Sequence, residues 1–279
     1  MSLNVLCIGD VVGKPGRRML ADHLGELIRQ REIDLVVVNA ENAAGGSGIT
    51  NEMFKKLLHY GVDVVTLGDH VYRRKEIAIS LINSKQIVRP ANLSAQAAGK
   101  TWTVVPTKSG KAQAAVACLL GHLGMSPADL PWAWAERLVS EFPAEARVRV
   151  LDFHAEATGE KVAMGWLMNG RFSIVFGTHT HVPTADACIL DAGTAYITDV
   201  GMTGPYDGVL GRKKERILHH LTTSMPTPFD VATDDPRLSG VIVSVDEATG
   251  KALAIERIEI RGYKQGGLGE SEPDDRGGD

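Results

Sequence analysis

Five short apolar runs in this chain each end in side chains able to bind a cation, and this pattern constrains the fold more than any other feature. The runs read Asn4-Val-Leu-Cys-Ile-Gly-Asp10, Asp34-Leu-Val-Val-Val-Asn-Ala-Glu-Asn42, Val62-Asp-Val-Val-Thr-Leu-Gly-Asp-His70, Arg147-Val-Arg-Val-Leu-Asp-Phe-His154 and Phe172-Ser-Ile-Val-Phe-Gly-Thr-His179. Apolar runs that lack polar alternation suit strands covered on both faces. Helix-like segments follow at about 17–32, 51–60, 75–83 and 160–168, with Thr50 placed to cap the second. Strand–helix–strand units of this length imply right-handed crossovers and parallel pairing. Residues 101–119, 187–200 and 240–261 read as antiparallel strands, the last folded as a hairpin about Asp246-Glu-Ala-Thr-Gly250. The expected fold class is α/β, a mostly parallel central sheet plus antiparallel strands, flanked by helices.

At 279 residues, with 44% apolar and 23% charged side chains, the chain can bury a sizeable core. One domain over residues 1–263 is the economical division, followed by an acidic flexible tail over 264–279. The tail holds Glu270, Glu272, Asp274, Asp275 and Asp279 against Lys264 and Arg276. It therefore accounts for most of the net charge of −4 and leaves the body near neutral, which argues against long nucleic acid as a partner. No run approaches the ~20 apolar residues of a membrane span. Cys7, Cys118 and Cys188 form no Cys-x-x-Cys pair, so neither a redox motif nor a thiolate zinc site is indicated. These features imply no membrane association and a cytoplasmic location.

Ligands of open α/β sheets bind beyond the carboxyl ends of the strands. There the five runs deliver Asp10, then Glu41 and Asn42, then Asp69 and His70, then His154 and Glu156, and finally His179 and His181. Any one of these alone reads as a turn, a helix cap or a structural histidine. Their coincidence at one sheet edge points to metal, because clustered buried carboxylates repel one another unless a cation joins them. The candidate ligands are Asp10, Glu41, Asn42, Asp69, His154, His179 and His181, too many for one ion and suited to two. Oxygen and imidazole donors without thiolate favour iron or manganese, with zinc an alternative. Paired ions are a common device for displacement at phosphorus. His179 and His181, two apart, would point to the same side of an extended chain.

Those residues resemble a known group, the calcineurin-like metallophosphoesterases, and in particular their bacterial YmdB-like branch. The resemblance is carried by Gly9-Asp10-Val-Val-Gly13, Asn39-Ala-Glu-Asn-Ala-Ala-Gly45, Asp152-Phe-His-Ala-Glu-Ala-Thr158, Gly177-Thr-His-Thr-His-Val182 and Thr198-Asp-Val-Gly-Met-Thr-Gly-Pro-Tyr206, and it runs from about residue 3 to 262. It implies a layered metallophosphoesterase fold. It also implies one ion on Asp10, Glu41, Asn42 and His181, and a second on Glu41, Asp69, His154 and His179, with Glu41 bridging. His70 would stand just outside the metals as the catalytic residue, and Asn42, His70, Thr203 and Gly204 would meet the substrate. Val12 and Glu41 depart from the wider superfamily but are normal for the branch. Asp69 departs more sharply, because the third motif ordinarily places a neutral asparagine there.

The expected function is a dinuclear-metal phosphodiesterase of small phosphodiesters. The resemblance implies 2′,3′-cyclic nucleotides as substrates and assembly into homo-oligomers. Hydrolysis would follow attack of a metal-bridging hydroxide, with His70 as general acid. The loop Gly45-Gly-Ser-Gly48 leads into a helix and reads equally as an anion-binding loop or a glycine turn. Trp132 and Trp134 suit packing better than base stacking. A phosphomonoesterase or nuclease on the same site is one alternative, and a regulatory protein with a structural or sensing metal site is another.

Overall fold

A computed structural model describes residues 2–262; the tail expected over 264–279 lies outside the described residues. In the first sheet β1 (Ser2–Ile8), β2 (Ile33–Asn39) and β3 (Val64–Thr66) are parallel neighbours. They are linked by α1 (Gly13–Gln30) and α2 (Asn51–His59), and α3 (Ile77–Asn83) follows β3. The second sheet runs β4-β5-β6-β7-β9-β8. Its members are β4 (Trp102–Pro106), β5 (Gln113–Leu120), β6 (Val148–His154), β7 (Ile174–Thr178), β8 (Cys188–Ile189) and β9 (Ala195–Ile197). Here β5, β6, β7 and β9 are parallel, while β4 and β8 are antiparallel margins. α4 (Pro131–Glu141) and α5 (Thr158–Leu167) supply the crossovers. The chain then returns to the first sheet through β10 (Gly204–Pro205), α6 (Lys214–Thr223), β11 (Pro236–Asp246) and β12 (Ala252–Arg261). β11 pairs with β1 and, as the expected hairpin, with β12, both antiparallel.

The parallel core and antiparallel margins are thus both present, divided between two sheets that face one another. Side chains alternate across a strand, so each buried strand serves two cores. From β1, Leu3, Val5 and Cys7 meet Val116, Val150, Ile174 and Phe176 of the opposite sheet. Leu6 and Ile8 turn outward onto Leu20 and Leu24 of α1 and Leu57 of α2. On the far side, Leu151 and Phe153 pack with Leu138 of α4 and Met164 of α5. The layers run helix, sheet, sheet, helix. Full burial of each such aliphatic or aromatic side chain contributes about 1.5–3 kcal/mol.

Local sequence explains most element ends. Thr50 caps α2 by accepting the Met53 N–H at 3.2 Å. α1 begins at Gly13, earlier than the expected residue 17. Gly13 takes φ +60°, and Pro15 sits in the first turn, where its missing N–H removes no helical bond. Gly16 lets the helix press on the backbone, since a Cβ there would lie 2.2 Å from Thr203 O. In α4, Trp132 packs on Phe153 at 6.4 Å between ring centroids, a core role. Among the described residues no helix is long and apolar enough to cross a membrane.

Candidate metal centre

The carboxyl ends of β1, β2, β3, β6 and β7 bring the expected side chains together from both sheets. The ligand atoms of Glu41, Asp69, His154 and His179 lie within 4.8 Å of one another, and these residues could hold a metal ion. Beside them His181 Nε2 stands 3.6 Å from Asp10 Oδ1 and 3.3 Å from Asn42 Nδ2. Asn42 Nδ2 in turn lies 3.3 Å from Glu41 Oε1, so Glu41 joins the two groups. Asp10 Oδ1 and Asp69 Oδ1 are buried with no hydrogen-bond partner. A buried carboxylate oxygen without a donor is costly, and oxygen donors beside imidazoles suit a hard or borderline cation. The residues present therefore fit a metal. Gly68 is required by this crowding, because a Cβ would sit 2.3 Å from both Glu41 Oε2 and His154 Nε2.

The electrostatics make the same demand. Asp10 is fully buried, which opposes its charge, yet the charge of the nearby His181 holds its pKa down to about 2. Glu41 is likewise held well below the usual carboxylate range, burial being outweighed by His154 and His70. His154 is pushed well above the ordinary imidazole value: burial lowers it, but Glu41 and Asp69 prevail. Carboxylates this buried need positive charge at this point, and without an ion it comes from protonated imidazole.

Three partners orient His154. Thr178 Oγ1 donates to Asp152 Oδ1 at 2.6 Å, so its oxygen accepts the His154 Nδ1–H at 2.8 Å. Nε2 is thereby left facing Glu41 Oε1 at 3.1 Å and Asp69 Oδ1 at 3.4 Å. Asp152 also accepts from Asn39 Nδ2 at 2.9 Å and Thr66 Oγ1 at 2.5 Å. Burial raises its pKa to about 6 despite these donors. Such outer partners tune metal ligands, and sequence reading missed them. The available signal was Asp152 itself, a carboxylate inside an apolar run and on the same strand face as His154.

His179 and His181 are not extended, as their spacing had suggested. Both are left-handed, at φ +93° and +64°, a conformation that costs on the order of 1–3 kcal/mol per non-glycine residue. His181 Nδ1 donates to Leu210 O at 3.1 Å, which frees Nε2 toward Asp10. His179 Nδ1 faces the cluster, 3.0 Å from His154 Nε2, while its Nε2 meets Glu156 Oε2 at 3.3 Å. Asn42 turns its NH2 to Glu41 and His181 and accepts from His70 Nδ1 through Oδ1 at 2.8 Å. Oxygen coordination by Asn42 requires the amide flipped about its last bond.

His70 lies at the mouth, its side chain a quarter exposed, with its backbone N–H donated to Glu41 Oε2 at 2.9 Å. Burial opposes charge on its ring, but Glu41 and Asp69 raise its pKa. Thr203 is fully buried; its hydroxyl accepts the Ser239 N–H at 3.2 Å, and its own N–H donates to Asp10 O at 3.0 Å. It braces the segment carrying Asp10. Gly204 is buried in β10 against Val12 and Met202. In the Gly45–Gly48 loop, Arg212 donates to the carbonyls of Gly45 and Gly46, so a guanidinium clasps the loop.

Two facing sheets between helical layers, with acids and imidazoles gathered at the strand ends, define a metallophosphoesterase fold. Within that class the chain belongs to the YmdB-like protein family, whose family model matches residues 6–258. It is 44% identical over 258 residues to the 2′,3′-cyclic-nucleotide 2′-phosphodiesterase of Bacillus subtilis (strain 168), covering 92% of this chain and 97% of the relative. A solved structure of a protein from Thermus thermophilus superposes with a TM-score of 0.86 at 39% identity, covering 93% of this chain and 99% of that one. The structure of a novel phosphatase from Mycoplasma pneumoniae also reaches 0.86, at 34% identity, covering 94% of each chain.

Proposed function

We propose that this chain is a dinuclear-metal phosphodiesterase of small phosphodiesters, built as one domain over residues 1–263, with 2′,3′-cyclic nucleotides as substrates. The observation that carries the reading is the pair of donor groups that meet at Glu41, with buried oxygens of Asp10 and Asp69 left without donors. The activity named for the Bacillus subtilis relative supports the substrate class. Asp10, Glu41, Asn42 and His181 would hold one ion, and Glu41, Asp69, His154 and His179 the other. Iron or manganese suits the donors best, with zinc the alternative. When bound, the ions supply Lewis acidity and lower the pKa of water.

The protein's own groups do the rest. Glu41 fixes His70 through its backbone N–H, and His70 protonates the leaving oxygen from the exposed edge of the cluster. The transferable proton resides on Nε2 of the imidazolium, a form that burial opposes but Glu41 and Asp69 favour, while Nδ1 faces Glu41 Oε1 at 3.4 Å. The enzyme works in the cytoplasm. It assembles as a homo-oligomer, a reading supported by α6, which buries no residue and leaves Leu218 and Leu221 exposed.

Metal analysis of the purified chain tests the reading when combined with hydrolysis of 2′,3′-cyclic AMP, 3′,5′-cyclic AMP and bis-p-nitrophenyl phosphate before and after chelation. Two ions per chain and chelator-sensitive turnover of the 2′,3′-cyclic ester are expected. Bound metal without turnover of any ester would refute the enzyme.

A further inference from the structure

The turn carrying His179 and His181 is held from behind by an ion pair that touches neither imidazole. Lys161 of α5 and Asp199, after β9, are both fully buried, with Nζ 2.8 Å from Oδ2. That same Oδ2 accepts the Thr180 N–H at 3.2 Å and the Thr180 hydroxyl at 2.6 Å. Lys161 Nζ reaches Thr180 Oγ1 at 3.3 Å. Asp199 Oδ1 takes the Gly201 N–H at 2.8 Å. On either side Val200 N–H donates to Gly177 O at 3.0 Å, and Met202 N–H to His181 O at 3.1 Å. Gly177 makes this approach feasible, since a Cβ there would lie 1.8 Å from Thr198 O and 3.1 Å from Lys161 Cδ.

A buried ion pair is a weak means of stabilising a fold, because apolar side chains of similar volume often do as well or better. Apart from the Gly201 N–H, this pair's hydrogen bonds go to Thr180, the one residue between two left-handed histidines. The left-handed backbone in turn directs His179 to one donor group and His181 to the other; an extended chain would send both to one side. We infer that Asp199, charge-balanced by Lys161, is a positioning residue that holds the His179–Thr180–His181 turn and so divides the two imidazoles between the two donor groups. The inference rests on the metal-centre reading above.

The test compares Mn2+ and Co2+ affinity of the full chain with that of Thr180→Val and of the pair Lys161→Met/Asp199→Asn. Outer partners of metal ligands are typically worth 10–100-fold in metal affinity. We expect Thr180→Val to weaken Mn2+ about tenfold and the pair variant up to about a hundredfold. Both should keep parental circular dichroism, change the Co2+ absorption spectrum, and recover turnover in excess Mn2+. Parental affinity and an unchanged Co2+ spectrum, with only a lower melting temperature, would make the pair merely structural and overturn the inference. If the pair variant fails to fold, Thr180→Val decides alone. A parent chain that binds neither ion would overturn the metal centre itself, an outcome separable from parental binding that the variants leave intact.

Discussion

Asp69 stands where the resemblance implies a neutral asparagine, and Asp69→Asn supplies that donor. At an effective dielectric of about 20, a divalent ion ~4 Å from the carboxylate charge gains roughly 8 kcal/mol of attraction. Much of this is offset because the ion must displace the proton that the same carboxylates hold on His154 in the metal-free protein. Asparagine keeps an oxygen donor and returns a further part, so the net loss is about 2–4 kcal/mol, or ~30- to 1,000-fold in Kd. The metal-free protein responds through a different balance. Burial opposes the Asp69 charge, but His154, its Nε2 3.4 Å from Oδ1, holds its pKa below the usual value. That contribution to stability is present above the unfolded pKa and lost as pH falls through the folded one, so Asp69→Asn should lower the metal-free melting temperature at pH 7. Calorimetric Mn2+ titration gives Kd, and turnover of 2′,3′-cyclic AMP at saturating Mn2+ gives the loaded enzyme's activity. Turnover at saturation should not fall, because less neutralised ions are stronger Lewis acids. An unchanged Kd would refute Asp69 as a ligand, and a collapse of saturated turnover would refute the charge argument.

His70→Ala should keep its metal content while turnover falls by ~10²–10⁴, the usual worth of a general acid; full activity or lost metal would refute that role. Gly68→Ala drives a methyl into Glu41 and His154, so it should abolish metal binding in a folded protein, as read by elemental analysis and circular dichroism. The metal-free protein should lose stability as pH rises. Burial lowers the pKa of His154 and His181, but their carboxylate neighbours raise both above 6.5 on balance. Their contribution is therefore full below that unfolded value and lost as pH climbs through the folded ones. Metal needs the same nitrogens unprotonated, so the Mn2+-induced rise in melting temperature should grow from about pH 6 to about pH 8 when measured by thermal scans. A rise that shrinks over that range would contradict the donor assignment.

The strand runs and their polar ends were legible because apolar periodicity and strand-end chemistry are local. The division into two sheets was not. Val5 and Cys7 face another sheet while Leu6 and Ile8 face helices, yet all four are simply apolar in sequence. The left-handed histidines were hidden for a related reason. Their conformation is imposed by Asp199, 19 residues from Thr180 in sequence, and by Lys161, 38 residues from Asp199. Asp152 stood in plain view inside β6, but its partners Asn39 and Thr66 come from the other sheet. Thr203 was expected to meet the substrate, whereas its N–H donates to Asp10 O and its hydroxyl pairs with Ser239, a pairing that only the return of β11 to the first sheet creates.

The two sheets contribute opposite chemistry to the centre. Asp10, Glu41 and Asp69 follow strands of the first sheet, and His154, His179 and His181 end or follow strands of the second. Neither sheet alone holds a balanced ligand set. The apolar face between them, from Leu3, Val5, Val37, Val116, Val150 and Phe176, fixes the distance between acids and imidazoles. Close-packed interiors yield little to small displacements, so the position of a ligand is set by the packing beneath it. An ion held by these residues would join the two sheets, and its binding free energy would add to the cohesion of the sandwich. The strain at His179 and His181 and the unpartnered oxygens of Asp10 and Asp69 are tolerated for the same reason. They occur where two well-packed sheets over-determine the backbone, and a cation held between them would offset their cost.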